Sequence, residues 1–517
     1  MSGDRGTYSD TSTQSKNTYA DAIATLNKSF NDWSVNVNLG VSLSDSRYEM
    51  IGYEGGLKLI NFFAVHNIDF NKAWKAKQSG WHDQTRAIFA NAEIGWKSMI
   101  YLTATGRNDW DSRLAFSDYK SFFYPSIGLS AILTSMFNAP DWLTYLKVRG
   151  SYTEVGNSYG RFMTTVTYPY DEQTQSWTST SSYPNTKLKP ERTKSWEVGL
   201  DARILNDISL NLTYYRSNTY NQTFYADLSL SSGYSNIPIQ SGNIMNEGLE
   251  MSLGYNKQWK DFSFNTNYTL TWNKNRVKRL ADGVYNYATG QPIQMPELSP
   301  LTYGHTDARL ILRVGGSMGD VYGQRLLKRD LNGYILNEEG VGLAMENKET
   351  YLGSIVPKMN MGWSLGFGYK GVNLGMTFTG RFGGIVISET QSVLDAAGVS
   401  KVSADVRDAG GVQINQSKVS AQTYYQTIQG TAAYYTYSAT NVRLGELSLS
   451  YTLPKKWFDN KVGMTVGLVG KNLWMIYCKA PFDPELTTSA ASNFYQGFDA
   501  YMLPSTRNFG FNVKFQF

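Results

Sequence analysis

The chain ends in the stretch TRNFGFNVKFQF, residues 506–517, in which apolar and polar side chains alternate without a break from Phe509 onward. Because successive side chains of a β-strand point to opposite faces, the stretch predicts a strand with one apolar and one polar face. An exposed edge strand of this kind in a soluble protein invites aggregation. A transmembrane barrel instead closes the sheet and turns the apolar face to lipid. The alternative for this segment alone is a buried strand of a soluble β-sandwich.

The same two-residue period recurs along the chain, for example in residues 33–43, 88–96, 196–204 and 359–369. It predicts an all-β fold, a transmembrane antiparallel β-barrel to which this chain contributes about 15 strands. The predicted strands lie near residues 15–29, 33–46, 84–96, 98–108, 121–135, 144–155, 193–205, 206–218, 244–257, 261–274, 357–369, 372–386, 438–453, 461–473 and 506–517. The apolar parity changes at Gly445, which predicts a β-bulge.

The connections between these strands alternate between short and long. Short turns are predicted near residues 31–32, 96–98, 206–207, 259–261 and 369–371. The long polar loops are predicted at 48–82, 156–191, 219–242, 275–355, 387–437 and 474–505. Short periplasmic turns and long extracellular loops are typical of outer-membrane barrels.

Composition supports a membrane barrel and excludes other classes. The chain has 36 Tyr, 24 Phe, 13 Trp and 47 Gly, and this aromatic content suits the two girdles of a barrel. No run of about 18 apolar residues exists, which excludes helical membrane spans. The net charge of +5 is small for 517 residues and gives no reason to expect nucleic acid as a partner. Cys478 is the only cysteine, so the chain forms no internal disulfide.

Motifs for catalysis or for metal and cofactor binding are not evident, so we expect no enzyme, no cofactor and no metal. Residues 467–472 lack the spacing of a phosphate-binding loop. Residues 330–339 faintly resemble a calcium loop, but a plain β-turn is the simpler interpretation. His66, His82 and His305 lie in or beside predicted outer loops, so an outer-membrane hydrolase stays an alternative.

Several long stretches resemble the SusC/RagA family of TonB-dependent outer-membrane transporters of Bacteroidetes, in family order over essentially the whole chain. They are TGRNDWD (105–111), YLKVRGSYTEVGN (145–157), LKPERTKSWEVGLD (188–201), NIMNEGLEMS (243–252), YTYSATNVRLGELSLSYTLPKKW (435–457), GLVGKNLWMIYCKAPFDPE (467–485) and LPSTRNFGFNVKFQF (503–517). The resemblance implies active uptake of oligosaccharides or oligopeptides, with a SusD-like surface lipoprotein and TonB as partners. A passive porin is the alternative transport function.

The resemblance also sets an expectation about the rest of the barrel. Residues 1–517 match only the C-terminal portion of the family's barrel, without the plug domain, the early strands or a signal peptide. With an odd number of strands, the first strand would run in the same direction as the last and begin outside. The resemblance implies a plugged barrel of about 22 strands, so we expect an N-terminal companion piece that carries the plug and about seven strands. It would pair along the edge of residues 15–29, and outer-membrane lipid would surround the barrel.

Aromatic residues in the long loops are the candidates for substrate or lid contact. Aromatic rings bury much surface at low entropic cost and suit stacking on sugars or holding a peptide. The candidates are Tyr285, Tyr287, Tyr424, Tyr425, Tyr434, Tyr435, Phe494 and Tyr495. The alternatives are loop–loop packing and contact with a covering protein. For the lid itself, we expect contacts with loops 275–355 and 387–437.

Overall fold

A computed structural model describes the chain except residues 1–4, 73, 172–175, 286–289, 296, 339–341, 415–416, 460, 487 and 489–492. Its main feature is one antiparallel sheet of 15 strands, each paired with its neighbours in chain order. This sheet is the barrel wall, and it confirms the predicted number and order of strands. The wall strands are β1 (Thr7–Phe30), β2 (Trp33–Gly56), β3 (Trp74–Trp96), β4 (Ile100–Asp111), β5 (Phe122–Ile132), β6 (Leu143–Asn157), β7 (Glu191–Ile204), β8 (Ile208–Asp227), β9 (Asn236–Trp259), β10 (Phe262–Arg279), β11 (Met359–Tyr369), β12 (Val372–Phe382), β13 (Asn441–Leu453), β14 (Gly463–Cys478) and β15 (Asn508–Gln516).

Several strands run well beyond the predicted ends. β1 and β2 pair over 24 residues each, from Thr7 opposite Gly56 to Phe30 opposite Trp33. The predicted loops 48–82 and 219–242 were therefore too long, because the strands themselves continue to Gly56 and Asp227. The apolar alternation ends where lipid ends, whereas backbone hydrogen bonding continues among polar residues in water. Periodicity alone does not register that continuation.

The short connections lie where they were predicted, and positive backbone φ angles make them tight. Asn31, Asn206, Lys260 and Lys370 have φ of 49°, 62°, 48° and 46°. Gly371 follows at 90°, and a Cβ there would lie 2.8 Å from the carbonyl oxygen of Thr452. Primed hairpin turns need such φ values because their twist matches that of the flanking strands.

The predicted bulge is also present. β13 shifts register against β12 between Leu444 and Glu446, so that Gly445 has no partner there. The register of β13 against β14 shifts at the same place. The extra residue moves the apolar side chains of β13 to the other parity, as the sequence indicated.

The long connections carry small sheets and helices of their own. A four-stranded sheet consists of Glu297–Thr302, Arg309–Arg313, Asp320–Leu327 and Met345–Ser354. A three-stranded sheet joins Ile385–Ser388 to Thr436–Ser438 and to Phe498–Asp499. Two-stranded pairs are formed by 170–171 with 176–177, 281–285 with 292–295, 337–338 with 342–343 and 412–414 with 417–419. The helices are α1 (Glu389–Ala396), α2 (Lys401–Asp408) and α3 (Ala421–Ile428), each begun by a serine that caps its first turn.

Hydrophobic residues divide between two places. On the wall they are exposed on one face, as with Leu39, Ile88, Leu129 and Val198, each more than half exposed. The largest buried clusters lie instead among the long connections, around Tyr303, Tyr435 and Ile237. Within the described residues, no helix is long and apolar enough to cross a membrane. The wall thus presents an apolar outer face, and the loops form a packed layer at one end.

Candidate functional site: the inner face and the mouth

The inner face of the wall carries paired charges. Arg149 on β6 donates to Asp201 on β7 at 2.8 Å and to the Thr213 hydroxyl on β8 at 2.6 Å. Asn211 also donates to Asp201. Val148, Leu200 and Leu212 pair across the three strands and so share the apolar face. The charged and polar side chains alternate with them along each strand and therefore lie on the opposite face. The network therefore lies on the polar side of three neighbouring strands and leaves no unpaired charge in it.

A second inner cluster lies on β4 and β5. Arg107 donates to Asp109 at 2.6 Å, and the Tyr124 hydroxyl donates to the other oxygen of Asp109 at 2.9 Å. The Arg107 guanidinium also lies 5.6 Å from the centre of the Phe89 ring, within cation–π range. The inner wall is thus a polar, charged and partly aromatic surface, as a water-filled lumen requires.

An ion pair anchors the last long loop to the wall. Arg443 on β13 donates to Asp483 through both terminal nitrogens, at 2.9 and 2.7 Å. The two side chains are only 10% and 8% exposed. Burial opposes ionisation of Asp483, but the Arg443 hydrogen bonds hold its pKa below the usual value. The sequence contained the loop motif APFDPE (480–485) but gave no signal for its partner on β13.

Two of the predicted aromatic residues lie in a cluster at the mouth. The Tyr495 ring is 6.1 Å from that of Tyr303 and 6.4 Å from that of Phe498, both of which are almost fully buried. The Tyr303 hydroxyl donates to the Phe494 carbonyl at 2.7 Å. This cluster joins the loop after β10 to the loop before β15.

Four more predicted tyrosines come together in a second cluster. The rings of Tyr424 and Tyr425 on α3 are 5.2 Å apart, and Tyr425 and Tyr435 are 6% and 3% exposed. The Tyr434 hydroxyl accepts from the Leu327 backbone at 3.1 Å. Burial raises the pKa of Tyr424, Tyr425 and Tyr435. The burial of Tyr425 and Tyr435 favours loop–loop packing over substrate contact for these two.

Tyr285 does not join either cluster. Tyr285 is 54% exposed on a short strand after β10. Tyr287 lies outside the described residues. Among the candidates that the structure describes, Tyr285 is therefore the most exposed to a ligand in solution.

The sequence analysis missed a cleft at the outer rim. A cavity of about 640 Å³ lies between the end of β10 and the segments 315–320, 353–358 and 383–385. The buried Asp320 lines it, accepting from the Ser317 backbone at 2.8 Å and from the Tyr351 hydroxyl at 3.2 Å. Burial raises the pKa of Asp320. The sequence feature that marks this cleft is the two glycine pairs, 315–316 and 383–384. Gly315, Gly383 and Gly384 have φ of 91°, 77° and 82°.

The three histidines lie on separate segments with local contacts of their own. His82 on β3 is 2.6 Å from Asp45, and the His66 ring packs edge-on against Phe62. The backbone of His305 donates to Glu389. The weak calcium-loop pattern is a turn, because Asp330 accepts from the backbones of Asn332 and Tyr334 at 2.9 Å each.

Comparison with known proteins agrees with this architecture. The family described as TonB dependent receptor-like, beta-barrel matches residues 2–473. TonB-dependent receptor P3 of Formosa agariphila is 24% identical over 544 residues, which cover 96% of this chain and 52% of that protein. TonB-dependent receptor SusC of Bacteroides thetaiotaomicron is 25% identical over 243 residues, covering 46% of this chain and 22% of that protein.

Among solved structures, the RagAB peptide importer in its open-open state matches with a TM-score of 0.76 and 18% identity. That match covers 99% of this chain and 55% of the other chain. The closed-closed state of the same importer matches with a TM-score of 0.75 and 18% identity, covering 98% and 56%. The chain spans about half the length of the Formosa agariphila receptors that it matches. It belongs to the TonB dependent receptor-like, beta-barrel family, as an outer-membrane barrel that is similar to SusC in sequence and to RagAB in fold.

Proposed function

We propose that the complete transporter imports oligosaccharides or oligopeptides across the outer membrane, driven by TonB and covered by a SusD-like lipoprotein. Family membership supports the TonB coupling. The observation that carries the proposal is a polar, charge-paired inner wall beneath a packed layer of loops. A solute passing through meets paired charges and hydroxyls rather than apolar surface.

The loop layer is the support for a lid. The described parts of segments 280–358 and 383–440 fold into sheets and helices around their own buried clusters. That is more structure than the closure of neighbouring strands requires, and long ordered loops commonly have a binding role. RagAB, which shares the fold, is described as a peptide importer. We include peptides among the proposed cargoes of this chain for that reason.

We also propose that the barrel performs no chemistry on its cargo. Hydrolysis by a histidine-activated hydroxyl or thiol needs that nucleophile within hydrogen-bond reach of the imidazole. Among the described residues, the imidazole of His82 contacts the Asp45 carboxylate and the ring of His66 packs against Phe62. His305 contacts Glu389 through its backbone N–H only. Binding energy and work done through TonB would move the substrate unchanged.

Uptake by cells that carry the complete transporter tests these proposals. Labelled oligopeptides and oligosaccharides too large for porins are offered to cells with and without TonB. We expect one class to accumulate intact, and only in the cells with TonB. Equal uptake without TonB would indicate a passive porin, and cleaved cargo at the cell surface would indicate a hydrolase. Gentle purification should also recover a second, lipidated protein, and a barrel that purifies alone would contradict the lid.

A further inference from the structure

The lipid face changes from apolar to cationic within two residues on β6 to β10. Strand pairing places Val198, Tyr214, Leu249 and Trp272 in one row across β7 to β10. The next row toward the long loops is Trp196, Arg216, Glu247 and Lys274. The row beyond it is Lys194, Asn218, Met245 and Arg276, with Glu154 of β6 beside Lys194. These last two rows, with Arg192 of β7, are called the cationic band.

Positive charge exceeds negative charge in the cationic band. Its cations are Arg192, Lys194, Arg216, Lys274 and Arg276, and its carboxylates are Glu154 and Glu247. Glu154 lies 3.1 Å from both Arg192 and Lys194, and Glu247 lies 3.6 Å from Lys274. Within the described part of the chain, Arg216 and Arg276 form no ion pair. Neither guanidinium group therefore has a carboxylate within ion-pair distance, although Arg216 lies opposite Glu247 in the strand register.

The rim cleft opens beside the cationic band. β10 continues to Arg279, but its pairing with β11 stops at Trp272 opposite Met359. Further along β10, the edge pairs with a loop segment. The Gly315 N–H donates to the Val277 carbonyl, and the Val277 N–H donates to the Gly316 carbonyl, each at 2.8 Å. Between these two attachments the wall is interrupted. The cleft of about 640 Å³ lies at this gap in the wall.

The cleft lining combines an aromatic ring with cations. Trp272, Lys274, Arg276 and Lys358 all line it. Its one acidic side chain among the described residues is Asp320, which is engaged by Ser317 and Tyr351. Guanidinium and ammonium groups at this position match a phosphate, the guanidinium in a bidentate manner. The adjoining aromatic and aliphatic rows match acyl chains.

We propose that the cationic band and the rim cleft bind the phosphate-bearing headgroup of an outer-leaflet lipid. The acyl chains lie along the row of Val198, Tyr214, Leu249 and Trp272 below it. Position selects a lipid over a free anion, because the cations sit where the exposed apolar face ends and headgroups begin. This inference does not depend on the cargo, on TonB or on the lid.

Native mass spectrometry of the complete transporter in detergent tests the proposal. The probe is dioleoylphosphatidylglycerol. Dioleoylglycerol has the same acyl chains without the phosphoglycerol headgroup, and inorganic phosphate is the free anion. We expect the phosphorylated lipid to be retained and the other two to be lost. Replacing two of the three cations that line the cleft, Lys274→Gln with Arg276→Gln, should lower its retention about tenfold, since each cation near the surface contributes measurably to anionic lipid binding.

Controls make the result decisive. Lys456→Gln removes an exposed lysine at the short-turn end and should leave retention unchanged. Resistance of the folded barrel to heating in detergent shows that each variant is assembled. If the double variant does not assemble, Lys358→Gln, on a loop at the same cleft, should still lower retention. Equal retention by the assembled variant, or of the phosphate-free lipid, overturns the proposal, and so does equal binding of inorganic phosphate.

Discussion

The ion pair of Arg443 and Asp483 shows how one residue fixes a whole loop. Arg443→Gln leaves a buried carboxylate without its partner, and breaking a buried pair costs about 3–5 kcal/mol. We expect faster backbone hydrogen exchange in residues 479–486 with little change in the wall strands. Lys401→Gln breaks the exposed pair with Asp405 and should change nothing measurable. Unchanged exchange in Arg443→Gln would show that the loop is held by other contacts.

The same pair predicts a response to acid. The folded-state pKa of Asp483 lies below that of a free aspartate, about 3.9. Its contribution to stability is therefore complete above the unfolded-state pKa and is lost as the pH falls through the lower folded-state pKa. Thermal unfolding followed against pH should show this loss in the native chain. The loss should be much smaller in Asp483→Asn, and an identical pH profile would contradict it.

Leu200 tests which face meets lipid. Leu200→Arg places a charge on the outer face of β7, where the cost near the bilayer midplane is about 2–4 kcal/mol. Assembly in the membrane should fall, as measured by the fraction of heat-resistant barrel. Thr269→Arg adds the same side chain to the exposed inner face of β10 and should assemble normally. Equal assembly of the two variants would mean that the faces are assigned wrongly.

The structure also changes the choice of control for that experiment. Alternation alone would favour Gly199→Ser as the control, because Gly199 is the neighbour of Leu200 on the inner face. A Cβ there would lie 2.6 Å from the Arg149 guanidinium carbon, which is already bonded to Asp201 and Thr213. The alternation of apolar residues identifies the inner face of β7 correctly. It does not reveal that the Arg149 side chain of β6 lies over Gly199 on that face.

At the scale of elements, the lipid-facing strands could be predicted from sequence and the loop structures could not. A wall strand such as β7 repeats a two-residue pattern because one side meets hydrocarbon and the other water. The helices α1 to α3 and the sheet around Asp320–Leu327 pack on one another through contacts far apart in sequence, such as Tyr434 with Leu327. No local period encodes such contacts, and the rim cleft depends on them as well.

The buried tyrosines provide a test at the same scale. Tyr425→Ala removes a ring from the second loop cluster and should destabilise α3 by about 3–5 kcal/mol. We expect protease cleavage within residues 387–437 at lower protease concentrations, while the heat resistance of the wall is unchanged. Tyr285→Ala changes an exposed ring and should leave cleavage as it was. If Tyr425→Ala abolishes cargo binding without loosening the loop, its ring contacts substrate instead.

At the scale of the whole molecule, the wall has two open edges. β1 pairs only with β2 and β15 only with β14 among the described strands, and both run in the same direction. Backbone groups at an open edge cannot stay unpaired in lipid. We expect the backbone amides on the open edge of β1 to be as protected from hydrogen exchange as those facing β2 when the complete transporter is measured. Rapid exchange along that edge would contradict closure through β1.

The length of β1 and β2 has a mechanical consequence. Barrel strands tilt by about 35–45° from the membrane normal, so a force along the barrel axis acts largely along the strands. Loaded this way, the hydrogen bonds between the two 24-residue strands carry the force side by side rather than one after another. The wall is therefore stiffest in the direction in which a plug would be pulled.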